Sequence, residues 1–327
     1  MKSLVLAGVS SCLITILSGK LVIPILKRAK AGQPVYEYVK EHQEKNGTPT
    51  MGGLFFIIPT ALVFLILGGI KGRIATVGLT IGLSYMTVGF LDDFIKIKTR
   101  KNQGLKAYQK IIFQTAIALF AGVFAYTSGL TVFHLPFTQK NLDLGYFTIP
   151  IIAFVFIAIT NSVNLTDGLD GLAGNVSLVY LVFMTLLIGL QTSVLSSVYF
   201  VVYEYEQLEL LAVCLIGGLA GFLVYNTNKA KVFMGDTGSL SLGGFIGAIS
   251  IFSSNSFFVP LIGIMFVASS ISVIMQVARF KHSGKRFFIK APLHHHFQLK
   301  GVSESKISYV YSLITALLGS ACLVAYL

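Results

Sequence analysis

The sequence runs to 327 residues, of which 54% are hydrophobic and only 12% charged, with a formal net charge of +12. A soluble globular domain has about a quarter of its residues charged, so this composition excludes one and makes lipid the natural solvent. The three cysteines, Cys12, Cys214 and Cys322, stand far apart in apolar runs, which argues against a disulfide framework or a zinc site and for buried, inert thiols.

Crossing the hydrocarbon core takes about 20 mostly apolar residues, and runs of that kind recur from end to end. Ten spans are expected: 3–26, 51–69, 74–94, 110–129, 147–163, 172–191, 208–226, 238–253, 257–280 and 306–327. The first is too long for a signal-peptide core and ends in no small-residue cleavage site, so it reads as a true span. No soluble domain fits between the runs. The chain is therefore expected to be a single polytopic membrane domain over 1–327, all-α in class, with about ten transmembrane helices.

An even number of spans puts odd-numbered loops on one side and even-numbered loops on the other. The odd loops hold 17 lysines and arginines, from Lys27 to Lys45, Lys96 to Lys106, Lys229 to Lys231 and Lys281 to Lys300, whereas the even loops hold only Lys71, Arg73 and Lys140. Positive charge is retained in the cytoplasm during insertion, so the odd loops are expected to be cytoplasmic and both termini extracytoplasmic. The net charge then requires no nucleic-acid partner. A basic cytoplasmic rim suits anionic lipid heads or an anionic substrate.

The acidic residues are more informative. Five of the six aspartates fall at the cytoplasmic ends of expected spans: Asp92 and Asp93 in GFLDDFIK, Asp167 and Asp170 in NSVNLTDGLDGLAG, and Asp236 in VFMGDTGSLSLGG. Asp143 lies in an outer loop, and Glu204, Glu206 and Glu209 read as solvated surface near an outer span end. One aspartate at a span end commonly just caps the next helix. Five at one membrane face are a liability, because two carboxylates about 5 Å apart at an effective dielectric near 20 repel by roughly 3 kcal/mol. A cation is expected to neutralise them, and oxygen-only ligands suit magnesium or manganese. Gly168, Gly171 and Gly174 permit close backbone approach, and glycine loops offer N–H groups to phosphate oxygens. Carboxylates, a divalent cation, lysines and glycine loops together make a phosphoryl-transfer site.

Two further motifs accompany the aspartates. In PLHHHF, His294, His295 and His296 are consecutive, so their side chains diverge, and phosphate or substrate contact suits them better than one shared ion. KNGTPTMGG, Lys45 to Gly53, brings a lysine and a glycine pair to the second span; by pattern alone it could be a plain turn.

These motifs together resemble the polyprenyl-phosphate N-acetylhexosamine-1-phosphate transferases, with PLHHHF and KNGTPTMGG pointing to the phospho-N-acetylmuramoyl-pentapeptide branch. The resemblance implies a cleft on the cytoplasmic face of a bacterial plasma membrane protein, often a homodimer. It also implies transfer of phospho-N-acetylmuramoyl-pentapeptide from a UDP carrier to undecaprenyl phosphate, giving lipid I and UMP with Mg2+ or Mn2+. Carried over by motif, Asp236 would bind the metal, with Asp92 and Asp93 catalytic beside it. Lys45, Asn164, Asp167, Gly168, Leu169, Asp170, Asn226 and Phe233 would line the nucleotide pocket, with Phe233 stacking on uracil and Gln276 at the edge. Lys96, Lys110 and the three histidines would meet phosphate or lipid carrier. Two rival functions stay open: a sister transferase using UDP-N-acetylglucosamine, and a transporter, whose ionisable residues would instead sit near the midplane within repeated halves.

Overall fold

The computed structural model describes residues 2–29, 47–100, 103–138, 140–194 and 199–326. In chain order these form α1 (Lys2–Arg28), α2 (Leu54–Ile66), α3 (Arg73–Thr99), α4 (Ala107–Thr127), a hairpin of β1 (Val132–His134) and β2 (Asn141–Asp143), then α5 (Thr148–Thr166) and α6 (Leu172–Val194). After these come α7 (Tyr199–Asn226), α8 (Gly235–Phe252), α9 (Val259–Ile262), α10 (Ile264–Ser283), α11 (Leu293–Gln298) and α12 (Glu304–Tyr326). The protein is an all-α integral membrane protein. The short antiparallel hairpin, which pairs Val132 with Asp143 and His134 with Asn141, had no signal in the sequence pattern.

Among the described residues, eight segments are long and apolar enough to cross a bilayer: α1, α3, α4, α5 with its leading turn from Gly145, α6, α7, α10 and α12. The two other expected spans correspond to α2 and α8. The first, expected over 51–69, is reduced to 13 helical residues, because 49–53 is spent on pairing with another loop. The second mixes glycine and serine with large apolar side chains, and every residue from Thr237 to Phe252 is buried by protein. The ninth expected span, 257–280, is broken at Gly263 into α9 and α10.

The central position of α8 follows from its composition. It packs chiefly on α3 and α5, and small residues let helix backbones approach closely where lipid gives no hydrophobic drive. A Cβ on Gly243 would come 2.6 Å from Thr160 Cα, and one on Gly244 would come 2.6 Å from the Tyr85 ring. Around this centre α1 packs on α7 and α2, and α6 on α12 and α7.

Helix α7 corrects the expected start of the seventh span at 208, since it begins at Tyr199. It also corrects the reading of its acidic run. Glu206 is exposed, but Glu209 is half-buried and Glu204 is buried. The Glu204 carboxylate accepts the backbone N–H groups of Arg73 at 3.1 Å and Ile74 at 2.8 Å. The first N–H groups of any helix lack intrahelical partners, and α3 has no side-chain cap from its own Gly72, so Glu204 serves as its cap from α7.

Candidate active site

One end of the bundle gathers the carboxyl ends of α3 and α5 and the amino ends of α4 and α8. Asp92 and Asp93 lie in the last two turns of α3 and Asp236 in the first turn of α8, and one carboxylate oxygen from each lies within 4.8 Å of the others. Asp92 and Asp93 are 1% and 0% exposed, while the Asp236 side chain, at 16%, is the most exposed of the three.

Cations of the chain itself partly meet the expected demand for neutralisation. Lys96, one turn beyond Asp92 on α3, places Nζ 2.6 Å from Asp92, 3.1 Å from Asp236 and 3.8 Å from Asp93. Lys110, in the first turn of α4, pairs with Asp92 at 3.2 Å and donates a short hydrogen bond to Asp236. Asn164, from the last turn of α5, donates to Asp236 Oδ1 at 2.8 Å and to Ser239 at 2.9 Å. Three carboxylates against two ammonium groups leave net negative charge, and all the convergent donors are oxygen, which fits a hard divalent cation. The oxygens differ in what they have left to offer. Asp92 Oδ1 accepts the Leu105 N–H at 2.8 Å, and Asp93 Oδ2 accepts the Thr237 N–H at 2.9 Å and its hydroxyl at 2.7 Å. Asp236, with Asp92 Oδ2 beside it, is the group that could hold a metal.

Asp167 caps α5 close by. Its carboxyl is pushed up to about 8, first by desolvation and then by the charges of Asp236, Asp93 and Asp170. Its neighbour Gly168 is where the histidine segment docks: a Cβ there would run into His294 Nε2 and come 3.0 Å from His295 Nε2. The three histidines on α11 do not all diverge: the rings of His294 and His295 lie 4.5 Å apart, centre to centre, beside Gly168, and His296 turns to Phe288 and Ile289. His294 is fully buried with no hydrogen-bond partner for either ring nitrogen among the described residues, and burial, followed by the charges of His295 and Lys290, pulls it down to about 3. His295 faces Gln298 at 3.0 Å, and His296 accepts the Ile289 N–H at 3.2 Å.

Other expected pocket residues are engaged with the loops around the cluster. Leu169 is buried. Asp170 accepts the Ala230 N–H at 3.0 Å, and Asn226 accepts the Gly171 N–H at 3.1 Å while donating to the Val232 carbonyl at 2.9 Å. Phe233 keeps a half-buried side chain, while its backbone exchanges hydrogen bonds with Pro49 and Gly52. Gln276 donates to the Phe288 carbonyl and accepts the N–H groups of Phe287 and Phe288, shaping the loop ahead of α11. Lys45 lies outside the described residues.

Sequence reading missed four contributors. Thr237 and Ser239 carry no charge and so gave no signal, though both stand beside Asp236 in GDTGS. Gly104 abuts the Asp92 carboxylate so closely that a Cβ at 2.4 Å from an oxygen would overlap it. Glu304 accepts the Asp170 N–H at 3.0 Å from the start of α12, a contact no local pattern encodes.

Fold and cluster define a polytopic helical membrane protein with a carboxylate and lysine centre at one end of its bundle. Comparison with known proteins narrows the class. A family model described as Glycosyl transferase family 4 matches residues 75–254, and a phospho-N-acetylmuramoyl-pentapeptide-transferase signature matches 45–57. Proteins named phospho-N-acetylmuramoyl-pentapeptide-transferase align along nearly the whole chain. That of Clostridioides difficile is 40% identical over 316 residues, covering 96% of this chain and 94% of the relative. That of Desulfitobacterium hafniense is 40% identical over 326 residues, with 98% and 97% covered, and that of Clostridium beijerinckii is 42% identical over 317, with 96% and 93% covered. The chain belongs to the phospho-N-acetylmuramoyl-pentapeptide-transferase family.

Proposed function

We propose that the protein transfers phospho-N-acetylmuramoyl-pentapeptide from its UDP-linked donor to undecaprenyl phosphate, yielding lipid I and UMP in peptidoglycan synthesis. The observation that carries this reading is the near-complete alignment with relatives of that name, reinforced by a buried cluster whose residues suit phosphoryl transfer. In the reaction an oxygen of the lipid phosphate attacks the sugar-linked phosphorus of the donor. A new P–O bond forms as the bond from that phosphorus to the bridging oxygen breaks, and the electron pair leaves with UMP. No net proton transfer is needed when the acceptor is dianionic.

The reacting groups are all anionic, so the protein's task is mainly positioning and charge compensation. Lys96 and Lys110 supply fixed positive charge beside the acceptor and donor phosphates, and Asn164 orients Asp236. A magnesium ion held by Asp236, or manganese in its place, would neutralise charge developing on the donor phosphates. Asp92, anchored by the Leu105 N–H and two lysines, organises those cations. Asp167 and Phe233 face the nucleotide, His294 and His295 close the pocket over Gly168, and His296 meets phosphate or lipid carrier from its rim. Retention of basic loops in the cytoplasm supports a cytoplasmic position for this end in the bacterial plasma membrane, with both termini outside. The single polytopic domain over 1–327 and its pairing as a homodimer are parts of the same proposal.

The test supplies purified protein, magnesium and undecaprenyl phosphate with either UDP-N-acetylmuramoyl-pentapeptide or UDP-N-acetylglucosamine. UMP release is expected from the first donor only. Release from the second would establish the sister activity instead.

A further inference from the structure

Asp92 and Asp93 are sequence neighbours with opposite surroundings. Asp92 Oδ2 faces both lysines at 2.6 and 3.2 Å. Asp93 has one lysine, at 3.8 Å from Oδ1, and its Oδ2 is taken twice by Thr237, through the backbone N–H and through the hydroxyl. Thr237 is the third residue of α8. Its N–H is among those that a helix leaves without an intrahelical partner, and Met234, at the cap position, supplies no side-chain acceptor. A carboxylate at that place satisfies the orphan donor and complements the positive end of the helix dipole.

The surrounding backbone is shaped to bring Asp93 there. One turn earlier on α3, Gly89 lies so close to the start of α8 that a Cβ would overlap the Asp236 carbonyl and come 2.6 Å from Thr237 N. On the far side Gly235, at φ 71°, turns the chain into α8 where a Cβ would meet Asp93 Oδ2 at 2.5 Å and Thr50 Oγ1 at 2.6 Å. The same turn is braced by the Gly52 and Gly53 N–H groups, which donate to the Phe233 and Met234 carbonyls at 2.9 and 3.0 Å.

We infer that Asp93 is a positioning residue: it caps the amino end of α8 from the adjoining helix and thereby fixes where the Asp236 carboxylate stands. The oxygen committed to this cap is Oδ2; Oδ1 stands 3.8 Å from Lys96 Nζ with no hydrogen-bond partner among the described residues. Asp236 precedes Thr237 directly, so slack in the cap becomes displacement of the most exposed carboxylate of the three. The consequence for catalysis rests on the transfer reaction proposed above; the cap does not.

The experiment uses the full chain in detergent or nanodiscs, with Asp93→Asn, Thr237→Val, Thr237→Ser and the double variant Asp93→Asn/Thr237→Val. Amide hydrogen exchange of the peptide covering 234–240, measured without substrate, should quicken in Asp93→Asn. Thr237→Val should lower the rate of UMP release on the order of ten-fold and raise the magnesium concentration for half-maximal rate, since a hydrogen bond to a buried charge is lost. Thr237→Ser, which keeps the hydroxyl, should restore both. In the Asp93→Asn background Thr237→Val should add little, because both changes break one contact. Unchanged exchange in Asp93→Asn, or losses that multiply as for independent groups, would overturn the inference. A wild-type protein that releases no UMP would overturn the transfer reaction, while the exchange measurement still decides the cap.

Discussion

The two ends of α3 use buried carboxylates differently. At its start Glu204 reaches over from α7 and spends one oxygen on the Arg73 N–H and the other on the Ile74 N–H, which leaves one acid and two donors in balance. About 28 Å along the helix by its rise per residue, Asp92 and Asp93 meet Asp236, and the three acids now outnumber the two lysine ammonium groups beside them. Asp93 Oδ2 is taken by Thr237, whereas Asp93 Oδ1 has no hydrogen-bond partner among the described residues, and Asp92 Oδ2 and Asp236 depend on Lys96 and Lys110. A structural carboxylate exhausts its acceptor capacity on backbone; a cluster that retains capacity, balanced in part by the side-chain cations of Lys96 and Lys110, is equipped to exchange partners with a ligand.

Neutralising one acid at each end sharpens that contrast. Asp236→Asn keeps nearly the shape of the side chain and removes the charge that two lysines and a metal would share, so UMP release should fall by at least about a thousand-fold in a protein that still purifies folded, as judged by its thermal transition. Wild-type turnover with unchanged magnesium dependence would reduce Asp236 to a helix cap.

Asp92 should give the next largest effect, and its pH dependence separates two roles. A phosphate monoester has its second pKa near 6, so at pH 8 roughly 99% of the acceptor is already dianionic and a general base has almost nothing to remove. An organising carboxylate cannot be replaced by hydroxide. We predict that Asp92→Asn lowers UMP release on the order of a hundred-fold by a similar factor from pH 6 to pH 8 at saturating magnesium. A ratio of wild-type to variant rates that collapses toward one at pH 8 would make Asp92 a base.

The smallest change in activity is expected at the other end of α3. Glu204→Gln turns one acceptor of the cap into a donor facing a backbone N–H, which should cost about 1–3 kcal/mol of stability and leave the kcat of the remaining folded protein near wild type. Thermal unfolding alongside UMP release measures both. Equal loss of rate and stability would show that the two ends are coupled through α3.

Hydropathy and charge alone determined the membrane class, the approximate spans and the gathering of aspartates at one set of span ends, because lipid imposes length and polarity on every crossing residue by residue. They could not determine what each acid does. Glu204 reads as surface by its neighbours in sequence, and only the meeting of α7 with the start of α3 makes it a buried cap. Asp93 is indistinguishable from Asp92 in GFLDDFIK until α8 brings Thr237 against one and Lys110 arrives beside the other. Helix α8 fails as an apolar span for the same reason, since its glycines and serines answer to α3 and α5 rather than to lipid. The expected need for a cation was met in part by Lys96 and Lys110, which stand 14 residues apart and converge only through the packing of α3 and α4. Burial and pairing are properties of long-range contacts, and the sequence marks the groups without stating which will meet.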